Sequence, residues 1–191
     1  VDEATDRALG ATDESGLRLS NPISTEMSVM RRSLWPGLLK ATRYNLDRQQ
    51  RRVRLFEIGA RFLPQGTSHR EETMLAGAVC GAQLPEQWGA RTRAVELFDV
   101  KSDLEALFGL TGIRDNFIFE AGAHRALHPA RTARIRGVDA DAGWIGELNP
   151  RIARDLGLPE SIILFEVRID QLQQAALARA ADISSFPSVR R

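Results

Sequence analysis

Regular spacing of apolar residues first appears after residue 33, where it predicts a helix. Leu38, Leu39, Thr42 and Leu46 recur at intervals of three and four residues, which is the spacing of one helical face. Pro36 stands just ahead of them, at a position where the first turn of a helix tolerates proline. The pattern therefore predicts one amphipathic helix of about three turns.

From residue 54 the apolar period changes to two, which predicts a β-strand. Alternate residues from Phe56 to Phe62 are apolar and share one face, so we expect this face of the strand to be buried. The residues Pro64–Gly66 end the strand, and a polar loop is predicted at 67–73. The apolar run Met74–Gly81 then predicts an antiparallel partner, so the two strands form a hairpin with a long loop.

The remaining segments alternate strands with helices. They predict a helix capped by Asp99, a strand at Asn116–Glu120, a hairpin of Thr132–Gly137 with Gly143–Leu148, a short helix capped by Asn149, a strand at Ile162–Ile169 and a final helix capped by Asp170. Because hairpins connect most of the strands, the predicted fold class is α+β, with a mainly antiparallel sheet and flanking helices that cover one face.

Composition excludes several classes of protein. The chain has 191 residues, of which 43% are hydrophobic and 27% charged, values typical of one globular domain and not of a disordered or collagen-like chain. No apolar run approaches the ~18–20 residues of a membrane-spanning helix. The acidic start Val1–Asp6 does not resemble a signal peptide, and the single cysteine, Cys80, fits a reducing compartment. We therefore expect a cytoplasmic protein without a membrane partner.

The net charge of +1 conceals a basic block. Residues 31–61 contain nine basic side chains and two acidic ones, a local net charge of +7. Such a block is able to face phosphates or an acidic partner subunit. The alternative is an arginine-rich surface that contacts only solvent.

No group of residues predicts a catalytic or metal site. His124 and His128 have the spacing of a helical metal pair, but Pro129 follows them directly, so they are interpreted as structural or surface histidines. Cys80 lies in an apolar run and is interpreted as an inert core thiol. Turn chemistry explains the acidic residues at the tip of the second hairpin without a metal ion. Asp139, Asp141 and Glu147 resemble a divalent-ion cluster, but Asp139 and Asp141 are the ones that occupy this tip.

The three tryptophans have different predicted roles. Trp35 precedes Pro36, where a large aromatic side chain either packs in the core or fills a pocket of a partner. Trp88 in a loop and Trp144 in a strand are interpreted as packing residues. Neither of them alternates with basic residues as the members of a base-stacking platform do.

Many short segments, spread from about Leu19 to Arg191, match one protein family in register. They include Asn21–Ser24, Glu26–Ser28, Ser33–Trp35, Gly37–Leu39, Arg48–Gln50, Phe56–Glu57, Met74–Gly77, Asp99–Lys101, Ala126–Pro129 and Ser185–Pro187. In this order they resemble the β chain of bacterial phenylalanyl-tRNA synthetase.

This resemblance implies a fold like that of a class II synthetase catalytic domain. It also implies an α2β2 aminoacyl-tRNA ligase, in which the β chain pairs with a catalytic α chain and the assembled enzyme charges tRNA(Phe) with phenylalanine. The whole enzyme is expected to use ATP and Mg²⁺. This segment is expected to bind neither of them. The implied division is a lead-in at 1–20, a synthetase-like core at 21–185, and the start of a linker to a missing C-terminal domain at 186–191.

The sequence departs from the class II pattern where ATP phosphates would be held. The family's arginine-bearing motif has the form Phe-Arg-x-Glu, whereas Arg54–Glu57 has a different order, and the glycine-rich segment Gly143–Glu147 lacks the arginine of the later motif. Without these charges the transferring phosphates have no preorganised partner. The expectation is a non-catalytic module with no catalytic residue and no metal site.

The resemblance places the predicted helix in a region similar to the class II dimerisation segment, and so implies an interface with the α chain. The predicted interface residues are Arg31, Leu34, Trp35, Leu38, Leu39 and Asn45. The predicted tRNA contacts are Arg48, Arg51, Arg52, Arg190 and Arg191. An alternative role for Arg31 is an ion pair with Glu26 or Glu57 inside the domain. Two alternatives to the whole assignment are a stand-alone tRNA-binding module and an independent adenylate-forming enzyme.

Overall fold

A computed structural model describes residues 3–10, 17–22, 28–66, 68–110, 116–137, 140–159 and 161–173 of the chain. From residue 35 onward its elements alternate hairpins with helices in the order expected from the sequence, and they are preceded by a short helix that the sequence did not predict. They are α1 (Glu3–Ala8), α2 (Trp35–Leu46), β1 (Val53–Gln65), β2 (Ser68–Cys80), α3 (Leu97–Leu110), β3 (Ile118–Ala121), β4 (Leu127–Arg136), β5 (Asp141–Leu148), α4 (Pro150–Asp155), β6 (Ile163–Arg168) and α5 (Ile169–Gln173).

The strands form one six-stranded sheet in the order β1-β2-β6-β5-β4-β3. Every pair of neighbours is antiparallel. The last strand, β6, lies between the β1–β2 hairpin and the β3–β4–β5 meander, so it joins two locally formed units into a single sheet. The prediction of an α+β fold with an antiparallel sheet is confirmed.

The first hairpin is longer and tighter than predicted. Its register runs without interruption from Val53 opposite Cys80 to Gln65 opposite Ser68. The turn contains Gly66 at a φ of +58°, a left-handed conformation that glycine adopts at little cost. The predicted loop at 67–73 is therefore wrong from residue 68 onward, because those polar residues extend the strand away from the core.

Helices cover both faces of the sheet, so the expectation of a single covered face is wrong. Leu38 and Leu39 of α2 pack with Ala78 of β2, whereas Val100 of α3 belongs to the cluster that contains the next β2 residue, Val79. Successive residues of a strand point to opposite faces, so α2 and α3 lie on opposite sides. No helix in the described ranges combines the length and apolarity that crossing a bilayer requires.

The burial of β1 is the reverse of the predicted one. Phe56 and Ile58, on the α3 side, are 74% and 60% exposed, whereas Val53 on the α2 side is only 4% exposed. β1 is an edge strand, and α3 packs over the central strands and does not extend across it. The polar face of β1, which includes Arg61, is the face that lies beneath α2, and ion pairs compensate its charges.

The predicted helix caps are confirmed for α4 and wrong for α3. The side chain of Asn149 accepts a hydrogen bond from the Arg151 amide at 3.0 Å, and Gly157, at a φ of +63°, follows the helix. Asp99 is instead the third residue of α3, and its carboxylate accepts the Glu96 amide at 2.9 Å. Asp170 likewise lies within the first turn of α5 instead of ahead of it.

Candidate functional site

The first turn of α2 is fastened to β6. The Glu166 carboxylate accepts hydrogen bonds from the Leu34 amide at 2.8 Å and from the Ser33 hydroxyl at 3.1 Å. The Trp35 indole nitrogen donates to the Phe165 carbonyl at 3.0 Å. Since a helix begins with unpaired amides, the buried carboxylate fixes where α2 starts and holds it on the sheet.

Arg61 connects Glu166 to a second buried carboxylate. Its guanidinium lies 3.1 Å from Glu166 and 2.7 Å from Glu72, so one cation on β1 bridges acids on β6 and β2. Glu72 is 8% exposed and Glu166 5%. Burial raises the pKa of Glu166, and the charge of Arg61 opposes that shift. This cluster is internally paired and structural in character, and it occupies the sheet face beneath α2.

The predicted interface residues divide into a buried set and a partly exposed pair. Leu34, Trp35, Leu38 and Leu39 are all at most 4% exposed and pack in the domain's own core. Trp35 is therefore a core residue of this domain. An interface role of the helix stays a prediction. The buried side chains cannot contact a partner directly, because they have almost no exposed surface.

Arg31 and Asn45 both bind groups of their own chain. Arg31 donates from Nη1 to Glu57 at 2.5 Å and from Nε to the Ala60 carbonyl at 2.8 Å. Asn45 donates to the Ala41 carbonyl at 2.8 Å. The internal ion pair expected as the alternative for Arg31 is thus present.

The predicted tRNA-contacting residues that the structure describes are exposed at one end of the sheet. The Arg48 guanidinium lies over the Tyr44 ring at 3.3 Å from its centroid. Arg52 donates to the Gln83 carbonyl at 3.3 Å. Arg51 is exposed beside them. The other two predicted contacts, Arg190 and Arg191, lie outside the described residues.

The interpretation of Trp88 as a packing residue is wrong. Trp88 is fully exposed on the loop that joins β2 to α3. Trp144, by contrast, packs against the His124 ring at 5.2 Å, as expected for a packing residue. Only Arg91 and Arg93 lie near Trp88 in the sequence. Arg52, which donates to the base of its loop, comes from the start of β1, more than thirty positions earlier in the chain.

His124 is part of an aromatic cluster and shows no sign of a metal-binding role. Its ring centroid lies 5.1 Å from that of Trp35, and its Nδ1 accepts the Ala126 amide at 3.2 Å. His128 makes the same local bond with Ala130 at 3.1 Å. Within the ranges that the structure describes, no three His, Cys, Asp or Glu side chains are grouped so as to hold a metal ion.

Acidification is expected to destabilise the fold through His124. Burial, together with the charge of Arg61, lowers the pKa of His124, so the unfolded chain binds the proton more readily than the folded one. The free energy of unfolding should therefore fall as pH drops below about 6.5, the ordinary histidine value, until the folded His124 also titrates. Urea denaturation of wild type and of His124→Gln between pH 5 and 8 measures this effect, and the variant should show a flatter profile. An equal flattening by His69→Gln, on the exposed part of β2, would contradict the assignment.

The other candidate side chains have structural partners. Cys80 is 1% exposed, and burial raises the pKa of its thiol, as expected for an inert core cysteine. Asp141 forms an ion pair with Arg134. Glu147 lies 2.7 Å from Arg131. Asp139 falls outside the described residues.

Sequence reasoning missed Glu166 as the buried residue that holds α2 on the sheet. It interrupts the apolar run of β6, and a charged residue inside such a run signals a buried, paired group. Its partner Arg61 lies 105 positions earlier in the chain, so no local pattern joins the two.

Comparison with known proteins supports a synthetase relationship. The chain is 47% identical over 175 residues to the phenylalanine–tRNA ligase beta subunit of Pseudomonas fluorescens, which covers 92% of this chain and 22% of that protein. It is 48% identical over 173 residues to the corresponding subunit of Methylococcus capsulatus, covering 91% and 22%. The chain thus spans about a fifth of the length of the curated relatives it matches.

The fold is similar to that of a solved synthetase. It matches the structure of Desulfitobacterium hafniense PylSc, a pyrrolysyl tRNA synthetase, with a TM-score of 0.54 and 17% identity, over 83% of this chain and 51% of that one. The expected class II synthetase-like fold is confirmed by this likeness. The model of the phenylalanyl tRNA synthetase beta chain CLM domain matches residues 1–169. With such a match and such relatives, the chain belongs to the phenylalanyl tRNA synthetase beta chain CLM domain family.

Proposed function

We propose that this chain is a segment of the beta subunit of an enzyme that charges tRNA(Phe) with phenylalanine. The observation that carries the proposal is the 47% identity over 92% of the chain to a phenylalanine–tRNA ligase beta subunit. The whole enzyme would use ATP and Mg²⁺, assemble as α2β2 and act in the cytoplasm. Within the chain we propose a lead-in at 1–20, a synthetase-like core at 21–185 and the start of a linker at 186–191.

We further propose that this module has no catalytic site of its own. Phosphate binding requires arginines with free donors, yet Arg61 lies between Glu72 and Glu166. The sheet face beneath α2 is filled by side chains such as Met74 and Leu164, both completely buried. The residues on this face therefore do not fit a bound ATP, and we assign the module to assembly and tRNA positioning.

Phenylalanine-dependent pyrophosphate exchange tests the inactivity of the module. The isolated chain should show no exchange above background, because Arg61, on the sheet face beneath α2, is already paired with Glu72 and Glu166. The complete enzyme, containing the alpha chain, should show it and serves as the positive control. Exchange by this chain alone would overturn the proposal and favour an independent adenylate-forming enzyme.

For assembly, we propose that the outer side of α2 contacts the alpha chain. The buried residues Leu34, Trp35, Leu38 and Leu39 would hold the helix in place, while Arg31 and Asn45 would lie at the margin of the contact. The four buried residues would therefore position the exposed side of the helix and would not contact the alpha chain themselves.

A pair of matched substitutions tests this interface. Gly37 is exposed on α2, and a Cβ there would meet only Glu57, at 3.8 Å, so Gly37→Gln should leave folding intact. We expect it to reduce the recovery of alpha chain at least about tenfold in size-exclusion chromatography of co-expressed subunits, because a bulky side chain separates two packed surfaces. Ala106→Gln, exposed on α3 across the sheet, is the control. Equal recovery with both variants would contradict the assignment.

The arginine surface supports a second candidate, a stand-alone tRNA-binding module. Arg48, Arg51 and Arg52 are exposed at one end of the sheet, and together with Arg190 and Arg191 they are the proposed tRNA contacts. Tight binding of tRNA by the isolated chain, with a steep dependence on salt, would favour this candidate. Binding that appears only in the complete enzyme would favour the ligase assignment.

A further inference from the structure

Two segments from distant parts of the chain leave the sheet side by side. β1 begins and β2 ends at the same position, where Val53 pairs with Cys80. We call this position the arginine end of the sheet, because Arg51 and Arg52 immediately precede β1 there. Gly81 has a φ of +87°, and a Cβ on it would lie 1.9 Å from the Arg51 carbonyl. The backbone at the base of the β2–α3 loop therefore contacts the backbone of Arg51.

The β2–α3 loop is held at its base. Ala82 bridges to Ala94, and the Gln83 amide donates to the Arg93 carbonyl at 2.9 Å. From the other side, Arg52 and Arg54 both donate to the Gln83 carbonyl, at 3.3 and 3.2 Å. These bonds fix the two legs of the loop and leave residues 84–92 to project from the arginine end.

Trp88 projects from this loop with its whole surface in solvent. A single exposed apolar residue needs no explanation by itself. Here, however, it lies three residues from Arg91 on a loop fixed against Arg51 and Arg52, and neither Arg51 nor Arg91 forms an ion pair within the described ranges. Exposed rings among unpaired guanidinium groups suit a polyanion with flat bases and do not suit an apolar protein pocket.

A second aromatic group faces solvent near the same end. Tyr44 is 57% exposed on α2, and the Arg48 guanidinium lies over its ring, 3.3 Å from the centroid. The C-terminal end of α2 leads through residues 47–52 into β1, so this pair lies on the same chain segment as Arg51 and Arg52. The arginine end thus combines two exposed aromatic side chains with several arginines.

We propose that the β2–α3 loop is an RNA-binding element, in which Trp88 stacks on an unpaired base of tRNA. Arg51 and Arg91 contact the flanking phosphates, and Arg52 holds the loop in position. The inference rests on the proposed function and deepens it, since it identifies single-stranded nucleotides as the part of the tRNA that this module contacts. Double-helical RNA offers no free base face to an aromatic ring, whereas unpaired nucleotides do.

The test measures tRNA affinity of the assembled enzyme by filter binding. Trp88→Ala should weaken the affinity about tenfold, Trp88→Phe should retain most of it, and Arg91→Gln should lower the salt slope by about one. Ile118→Ala is the control, because Ile118 is exposed on β3 at the opposite edge of the sheet. Phenylalanine-dependent pyrophosphate exchange, which needs no tRNA, should be unchanged in every variant.

Each contrary result has a defined meaning. Equal tRNA affinity of wild type and Trp88→Ala overturns the inference. Reduced recovery of alpha chain by Trp88→Ala, with unchanged tRNA affinity of the assembled fraction, also overturns it and assigns the loop to a protein contact. If the wild-type assembly fails to charge tRNA(Phe), the ligase assignment itself fails, and this is measured before any variant is compared.

Discussion

Replacement of Arg61 by methionine is expected to lower the free energy of unfolding by about 3–5 kcal/mol at neutral pH. Methionine fills much of the same space but leaves the buried Glu166 carboxylate without its cation, whereas Glu72 keeps its ion pair with Arg70. Equilibrium urea denaturation of the two proteins measures the difference. The loss should shrink at low pH, because a protonated acid no longer needs the arginine, and burial already raises the pKa of Glu166.

Arg31→Met is the matched control for this prediction. Arg31 also pairs with a glutamate of β1, but its side chain and that of Glu57 are 31% and 35% exposed, so the variant should cost at most about 1 kcal/mol. The double variant Arg61→Met with Glu166→Gln should recover part of the loss, since one uncompensated charge is removed with the cation. Equal losses for the two arginine variants would show that the Arg61 cluster contributes no more than a surface ion pair.

The same cluster explains why the sequence predicted the elements of the first hairpin better than their burial. The two-residue period of apolar positions predicted β1. Such a strand has two faces, and the face with Phe56 and Ile58 was predicted to be buried because it is the more apolar. The face that is buried in the structure carries Arg61, and its burial depends on the partners of Arg61 on β2 and β6. Since Glu166 lies 105 positions away, no window along the chain contains both members of that pair.

Helix α2 and the short helix α4 were predictable because their signals are local. Proline in the first turn and recurring apolar residues locate α2, and the side chain of Asn149 caps α4 two residues away. The β2–α3 loop shows the opposite case, because Arg91 and Arg93 are local to it whereas Arg51 and Arg52 come from the start of β1. Trp88 alone looked like a packing residue, and the pairing of Val53 with Cys80 adds Arg51 and Arg52 at the base of its loop.

Replacement of Trp35 by alanine is expected to cost about 3–5 kcal/mol of unfolding free energy. The indole is 2% exposed, contacts the His124 ring and donates to the Phe165 carbonyl, so alanine leaves a cavity and removes this hydrogen bond. Trp35→Phe should cost less, because it loses mainly the hydrogen bond. Urea denaturation of both variants separates the cavity from the hydrogen bond.

Trp88→Ala is the internal control for Trp35→Ala, since the same atoms are removed from a fully exposed position. It should change the unfolding free energy by no more than about 0.5 kcal/mol.

The Trp35 variants also test assembly, because Trp35 has no surface for a partner and can affect binding of the alpha chain only through the position of α2. Loss of alpha-chain binding by Trp35→Phe, with stability close to wild type, would contradict this and place the indole in the interface itself. Loss of binding that follows the loss of stability across the Trp35 variants would instead show that the helix is the contact and the tryptophan its anchor.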